Sequence, residues 1–343
     1  MKALLLSEYK KLNIVDLPTP RPAEYELLIR IQACGICGSD VHGYDGSTGR
    51  RLPPIVMGHE AAGIVESVGG AVSDFRAGDR VAFDSTVSCG KCFYCLRGQI
   101  NLCENREVIG VSTPSFRRMG AFAEFVTVPA RIACHLPASM SYPHAAMIEA
   151  VSVAVHAVSL TPVALDDTVV VVGAGMIGLL TLQAVRAAGA GTVYVLDVDD
   201  SRLDLARSLG ATQTFNSRSA DVIREILDLT SGRGADAVME CVGTTAPVKL
   251  ALESVRKGGC VTLIGNVAPT VELGLQSAVT RQIRLQGSCA SSGEYPACIS
   301  LMSRGAIRVD PLISAVAPLE DGASWFHRLY EREPGLLKVV LEP

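Results

Sequence analysis

Four thiols crowd one short stretch of the chain: Cys89-x-x-Cys92-x-x-Cys95, then Cys103. Gly90, Lys91, Arg97 and Gly98 lie among them, so the stretch reads as a turn-rich loop. Four thiolates suit a closed tetrahedral Zn2+ site that ties down a lobe too small to own a core. No acid or histidine sits among the four, and a closed site leaves no position open for a substrate, so the expected role is structural. The competing readings are scattered core cysteines or a redox loop. A redox Cys-x-x-Cys does not need four thiols.

A second constellation is Gly173-Ala174-Gly175-Met176-Ile177-Gly178, which follows the apolar run Val169–Val172 and opens a helical pattern. Gly173 allows the tight turn, Gly175 lets backbone approach a pyrophosphate, and Gly178 permits close helix–strand packing. The helix start offers free N–H groups and a positive dipole end to phosphates. Asp197 ends the strand-like run Thr192–Asp197, where its carboxylate could take two ribose hydroxyls. Val198, Asp199 and Asp200 supply no cation for a 2′-phosphate, which favours NAD(H) over NADP(H). The competing reading is a glycine-rich turn in an unrelated α/β fold; the strand, the helix and the acid together weigh against it.

A third set is dispersed: Cys37, Gly58-His59-Glu60 and Glu149. A lone Cys is usually core and a lone Glu usually a solvated face. Cys34-Gly35-Ile36-Cys37 alone could pass for a thioredoxin-like motif, but no supporting strand–helix pattern accompanies it. Composition and spacing do not assemble a site from these residues.

The elements that must position these groups fall into two styles. The first third is rich in Gly, Pro and Cys, with short strand-like runs at Glu26–Gln32, Gly63–Val68, Arg80–Phe83 and Phe122–Val128. It reads as an irregular, mostly β domain. From Thr168 apolar strands alternate with helical stretches: Thr168–Val172, Met176–Ala188, Thr192–Asp197, Ala235–Cys241, Cys260–Gly265 and Ile283–Ser288. That order predicts an α/β domain with a doubly wound parallel sheet. A helical stretch, Pro296–Arg304, and a strand-like tail, Lys338–Glu342, follow. The expected division is 1–155 with 294–343, and 156–293.

The chain has 343 residues, about two domains' worth at roughly 150 residues each. With Lys plus Arg at 31 and Asp plus Glu at 35, the net charge is −4, so nothing draws it to nucleic acid or an anionic membrane surface. No apolar run reaches the roughly 20 residues of a spanning helix, and Met1–Leu6 is too short for a signal-peptide core. The expected compartment is the cytoplasm, where eleven cysteines are read for a metal rather than for disulfides.

The chain resembles the zinc-dependent medium-chain dehydrogenases of the sorbitol (polyol) and threonine dehydrogenase branch. The matching stretches are Cys34-Gly-Ile-Cys-Gly-Ser-Asp-Val-His42, Gly58-His-Glu-Ala-Ala-Gly63 with Gly69, Gly78-Asp-Arg-Val81, the four-thiol lobe, Gly120-Ala-Phe-Ala-Glu124, Glu149, the Gly173–Gly178 turn and Asp197. The resemblance implies a GroES-like catalytic domain beside a Rossmann cofactor domain. It implies that Cys37, His59 and Glu149 hold a catalytic zinc, with Glu60 beside it as alternate ligand. Asp40 would then orient His59, and Ser39 and His42 would carry a proton relay. Met176, Ile177, Val242 and Gly265 join the cofactor contacts, Arg202 packs on the adenosine and Lys338 reaches the pyrophosphate. The implied reaction is hydride transfer from a secondary alcohol of a polyol or sugar to NAD+. An amino-alcohol such as L-threonine is the alternative substrate, and a non-catalytic NAD- and zinc-binding protein the alternative class.

The match departs from mammalian-type sorbitol dehydrogenases at two places. Gly43 stands where they carry a Tyr after the relay His, and Ser288-Cys289-Ala290-Ser291 replaces their Arg-Tyr pair. The expected pocket mouth therefore holds Gly43, Tyr44, Phe116, Cys289 and Ser291. The family also implies a homodimer or homotetramer, with Ile283–Ser288 as the pairing strand.

Overall fold

The run Thr168–Val172 is apolar and buried after its first residue, and it forms the centre of a six-stranded parallel sheet. Across that sheet the order is Gln213–Asn216, Thr192–Asp197, Thr168–Val172, Ala235–Glu240, Val255–Leu263 and Arg284–Gly287. Helices Met176–Ala188, Asp200–Ser208, Val222–Leu229 and Thr245–Ser254 connect the strands. Val170, Val172, Leu196, Val238 and Val261 share one core with Ile226 and Val248 of the helices. The strand Gln213–Asn216 escapes sequence reading because it is short, polar and at the edge.

The first part of the chain builds a different sheet. Its order is Ala133–His135, Arg80–Phe83, Glu60–Val68, Glu26–Gly35, Lys338–Glu342 and Ile313–Pro318, with Phe125–Pro129 also paired to Glu26–Gly35. The C-terminal strand thus lies against Glu26–Gly35, with Val340 opposite Gly35. A hairpin, Lys2–Glu8 with Lys11–Asp16, adds a smaller sheet, and Leu4, Leu6, Ile29, Phe83, Phe122 and Phe326 fill the core. Arg80 of the Gly78–Val81 stretch is a clamp: it donates to Pro137 O at 2.9 Å, Ala138 O at 2.8 Å, Met140 O at 2.5 Å and Tyr142 Oη at 3.0 Å.

This computed structural model describes residues 1–111, 113, 117–218 and 221–343; Phe116, expected at the pocket mouth, lies outside them. Met1–Glu149, Tyr295–Ser303 and Leu312–Pro343 form one unit, and Ala150–Glu294 with Arg304–Pro311 the other. The expected joint at 155 falls inside an unbroken helix, Ile148–Ser159. Arg304–Pro311 joins the second unit because Arg308 N donates to Gln183 Oε1 at 2.7 Å and Gln183 Nε2 donates to Arg308 O at 3.1 Å. None of the eleven cysteines is in a disulfide. Among the described residues no helix is long and apolar enough to cross a membrane.

Candidate metal centre and cofactor site

Cys37 caps the short helix Gly38–Tyr44. Its thiol accepts from Ser39 N at 3.5 Å while Asp40 Oδ2 accepts from Cys37 N at 3.4 Å, a reciprocal capping box. Gly58, in the left-handed region with φ +92°, turns the chain into the strand Glu60–Val68 and so presents His59 and Glu60. Gly35 faces Glu60 across the sheet, and a Cβ there would stand 2.4 Å from Glu60 Oε2. The ligand-type atoms of Cys37, His59 and Glu60 all lie within 4.8 Å of one another. Glu149, expected as the third ligand, sits at the start of Ile148–Ser159 and is not in that set. Burial and the nearby Glu60 and Asp84 push its carboxyl up to about 7, against the pull of His59.

His59 is 6% exposed, and its Nδ1 stands 3.4 Å from Asp40 Oδ2, in ion-pair range but out of hydrogen-bond alignment. Its Nε2 lies 3.5 Å from Ser39 Oγ, so the ring offers Nε2 to a ligand and Nδ1 to Asp40. Burial opposes charge on His59, yet Asp40 and Cys37 outweigh it and raise its pKa well above the usual range. Burial likewise opposes charge on Asp40, but His59 and Arg51 hold it down at about 2. A thiol, an imidazole and a carboxylate converging on one point, with a half-satisfied buried ring nitrogen behind, suit a borderline-soft ion such as zinc. Ser39 and His42 are both exposed and three residues apart on one helix, which puts them on one face.

Lys338 departs from expectation. It is 2% exposed and donates to Glu60 Oε2 at 2.5 Å and Ile36 O at 3.1 Å, so within the chain its charge is held by a buried carboxylate. The separation of 278 positions between Lys338 and Glu60 hides this pair from sequence reading. Tyr44 also departs: it is buried against Phe326 and Tyr330, with its Oη donating to Lys10 O at 2.8 Å, so it cannot line a pocket mouth. Ser291 is buried and Cys289 exposed.

The thiols of Cys89, Cys92, Cys95 and Cys103 also lie within 4.8 Å of one another. Backbone N–H groups point at the sulfurs: Cys89 N and Asn105 N donate to Cys103 Sγ at 3.2 and 3.4 Å. N–H donors from Cys95 and Glu104 bring the Cys92 thiol down to about 6, whereas burial pushes Cys103 up to about 11. This donor set fits a closed zinc site.

In the second unit Gly173 takes φ +97° and Gly178 packs so tightly that a Cβ there would fall 1.7 Å from Gly173 O. A Cβ on Gly175 would meet nothing within 4 Å, so backbone is open to a ligand at the start of Met176–Ala188. Met176 and Ile177 are partly exposed at that helix start. Asp197 Oδ2 accepts from Ala174 N at 2.6 Å and Oδ1 from Val198 N and Asp199 N at 2.8 and 3.0 Å, which fixes the carboxylate beside the glycine turn. Arg202 faces Asp199, with Nε 3.8 Å from Oδ2. Val242 and Gly265 meet where two strand ends touch: a Cβ on Gly265 would lie 2.3 Å from Val242 C. Sequence reading missed Glu240, a buried carboxylate accepting from Val242 N and Gly243 N at 2.8 Å each, which pins that loop. Its signal was an acid ending an apolar strand.

Residues 23–138 match the alcohol dehydrogenase GroES-like domain and residues 177–304 match the zinc-binding dehydrogenase domain. The sorbitol dehydrogenase of Bacillus subtilis is 34% identical, over 100% of this chain and 97% of that protein. Galactitol-1-phosphate dehydrogenase from Escherichia coli superposes with a TM-score of 0.93 at 28% identity, covering 100% of both chains. A putative zinc-binding dehydrogenase of Sinorhizobium meliloti, bound to NADP, superposes with a TM-score of 0.91 at 33% identity, over 100% of this chain and 99% of that one.

Proposed function

The chain belongs to the zinc-dependent medium-chain dehydrogenases, and on that premise we propose that it oxidises a secondary alcohol of a polyol or sugar to the ketone, with NAD+ as hydride acceptor. The observation that carries the reading is the Cys37–His59–Glu60 donor set beside Ser39, in a chain whose other unit bears the Gly173–Gly178 turn and Asp197.

Cys37, His59 and a carboxylate, Glu149 or Glu60, would hold the catalytic zinc; the grouping of Glu60 with Cys37 and His59 supports Glu60 in that place. Zinc there supplies Lewis acidity, which eases loss of the substrate hydroxyl proton. Ser39 accepts that proton and passes its own toward His42 and solvent. Asp40 keeps His59 in the tautomer that offers Nε2. The four-thiol lobe would hold a second, structural zinc.

NAD+ over NADP+ is read from Asp197, whose carboxylate repels a 2′-phosphate, and from Arg202, whose charge already faces Asp199. The Sinorhizobium relative's NADP makes this choice a property to measure on this chain. A homo-oligomer is supported by Arg284–Gly287, which is the edge strand of its sheet among the described residues.

The deciding experiment follows NADH absorbance with sorbitol, a cyclic polyol, a phosphorylated polyol, L-threonine and 2-propanol. Polyols should lead in kcat/KM. A tenfold lead by L-threonine or 2-propanol overturns the polyol reading, and no turnover by zinc-loaded, NADH-binding protein supports the non-catalytic alternative.

A further inference from the structure

Arg51 lies between the helix Gly38–Tyr44 and the strand Ile55–Val56, yet it is only 3% exposed. A guanidinium keeps its charge in a protein, so burial requires acceptors around it. They are Asp40 and Ser39. Arg51 Nε and Nη2 donate to Asp40 Oδ1 at 3.2 and 3.0 Å, and Nη2 donates to Ser39 Oγ at 3.2 Å. The other Asp40 oxygen is the one that faces His59 Nδ1 and accepts from Cys37 N. One buried cation therefore touches the proton acceptor directly and reaches the metal ligands through Asp40.

Gly43 belongs to the same device. It needs no left-handed backbone, but a Cβ there would stand 2.2 Å from Arg51 Cγ and 3.0 Å from Arg51 Cβ. The space above Gly43 is occupied by the stem of Arg51. The glycine that follows the relay histidine thus makes room for a side chain from elsewhere in the loop.

We propose that Arg51 is a positioning residue for the proton-transfer step, holding Ser39 Oγ and Asp40 in working register; this rests on the reading of Ser39 given above. A hydroxyl oxygen has two lone pairs and one hydrogen. With one lone pair taken by Arg51 Nη2, the other is left for the substrate hydroxyl, and the Ser39 hydrogen is aimed away from both. As the substrate O–H bond breaks, a new O–H bond forms on Ser39 and its original O–H bond breaks toward the relay. Ser39 ends neutral, the proton leaves through His42, and the C–H electron pair leaves with the hydride to the nicotinamide. Without Arg51 the hydroxyl rotates freely and the Asp40 carboxylate loses the partner that holds it against His59.

The test uses zinc-loaded enzyme with the fastest alcohol of the panel. The variants are Arg51→Met, Arg51→Lys and Gly43→Ala, with Ser39→Ala as control. Measured are kcat, KM for NAD+, the solvent isotope effect on kcat, thermal unfolding and zinc release to a chromogenic chelator. Arg51→Met should lower kcat by about tenfold or more, the scale of one lost orienting bond in the transition state. It should also raise the solvent isotope effect, leave the KM for NAD+ unchanged, and speed release of zinc. Arg51→Lys should recover thermal stability but not kcat, because one ammonium nitrogen replaces the two guanidinium nitrogens that fork onto Asp40 and Ser39 in a fixed plane. Gly43→Ala should reproduce the kcat loss with the charge still present, and it serves if Arg51→Met fails to fold. A folded, zinc-loaded Arg51→Met or Gly43→Ala with kcat and isotope effect unchanged overturns the proposal, whatever zinc release does. If Ser39→Ala also keeps full turnover, the relay reading itself has failed; if Ser39→Ala alone loses it, only the part given to Arg51 has.

Discussion

Replacing Lys338 by Met tests whether this cation serves the fold of the first unit or the cofactor. Lys338 Nζ donates to Glu60 Oε2 at 2.5 Å and to Ile36 O at 3.1 Å, and both side chains are almost fully buried, 2% and 1% exposed. Burial works against the charge on Lys338, but Glu60 outweighs it and raises its pKa above 10.5. Removing one partner of a buried pair leaves the other charge uncompensated and costs about 3–5 kcal/mol. At about 2–4 °C per kcal/mol for a unit of this size, Lys338→Met should lower Tm by about 6–20 °C. The measurement is thermal unfolding of zinc-stripped protein, so that metal affinity does not enter. The sign with pH follows from the raised pKa: the pair's contribution is fully present below the unfolded value of 10.5 and is lost as pH rises through the folded value. The gap between wild type and variant should therefore be constant through the neutral range and close only in strong alkali. Glu60→Gln combined with Lys338→Met should recover part of the loss, because no lone charge remains buried. NADH affinity should stay within about twofold, or about 0.4 kcal/mol. A Tm loss under about 3 °C together with a tenfold or greater loss of NADH affinity would put the ammonium on the pyrophosphate and refute this reasoning.

Other outcomes are equally open to measurement. NAD+ should exceed NADP+ in kcat/KM by at least tenfold, about 1.4 kcal/mol, and Asp197→Ala should narrow the gap; equal values for the wild type would remove Asp197 as the selector. Elemental analysis should find two zinc ions per chain, with His59→Ala abolishing turnover while NADH still binds, and Cys95→Ser lowering stability; one zinc or fewer in active enzyme contradicts the two-site reading. Gly178→Ala should abolish NADH binding or folding of the second unit, since its Cβ would fall 1.7 Å from Gly173 O; normal binding by calorimetry would refute this. In zinc-stripped protein the raised Glu149 carboxyl should make stability fall as pH rises from 4.5 toward about 7, and Glu149→Gln should flatten that slope in denaturant titrations.

The sequence alone determined what depends on short spacing. The Gly173–Gly178 turn needs only a strand before it, a helix after it and an acid one strand later, and those follow each other along the chain. The four thiols lie within one loop, so their convergence needs no distant partner. The parallel sheet was legible because strands covered on both faces must be apolar throughout; Gln213–Asn216 was not, because an edge strand has no such requirement. Tertiary structure alone decided which charges meet. Lys338 reaches Glu60 because the C-terminal strand lies against Glu26–Gly35, and nothing near residue 338 or residue 60 encodes that neighbour. Arg51 reads as one of two adjacent loop arginines until the fold closes it over Gly43 onto Asp40 and Ser39. Glu60 follows His59 directly, but only the fold sets both beside Cys37, with the three ligand-type atoms within 4.8 Å of one another. Residue type sets what a side chain can bind, but partners far apart in the chain are chosen by how sheets and loops pack.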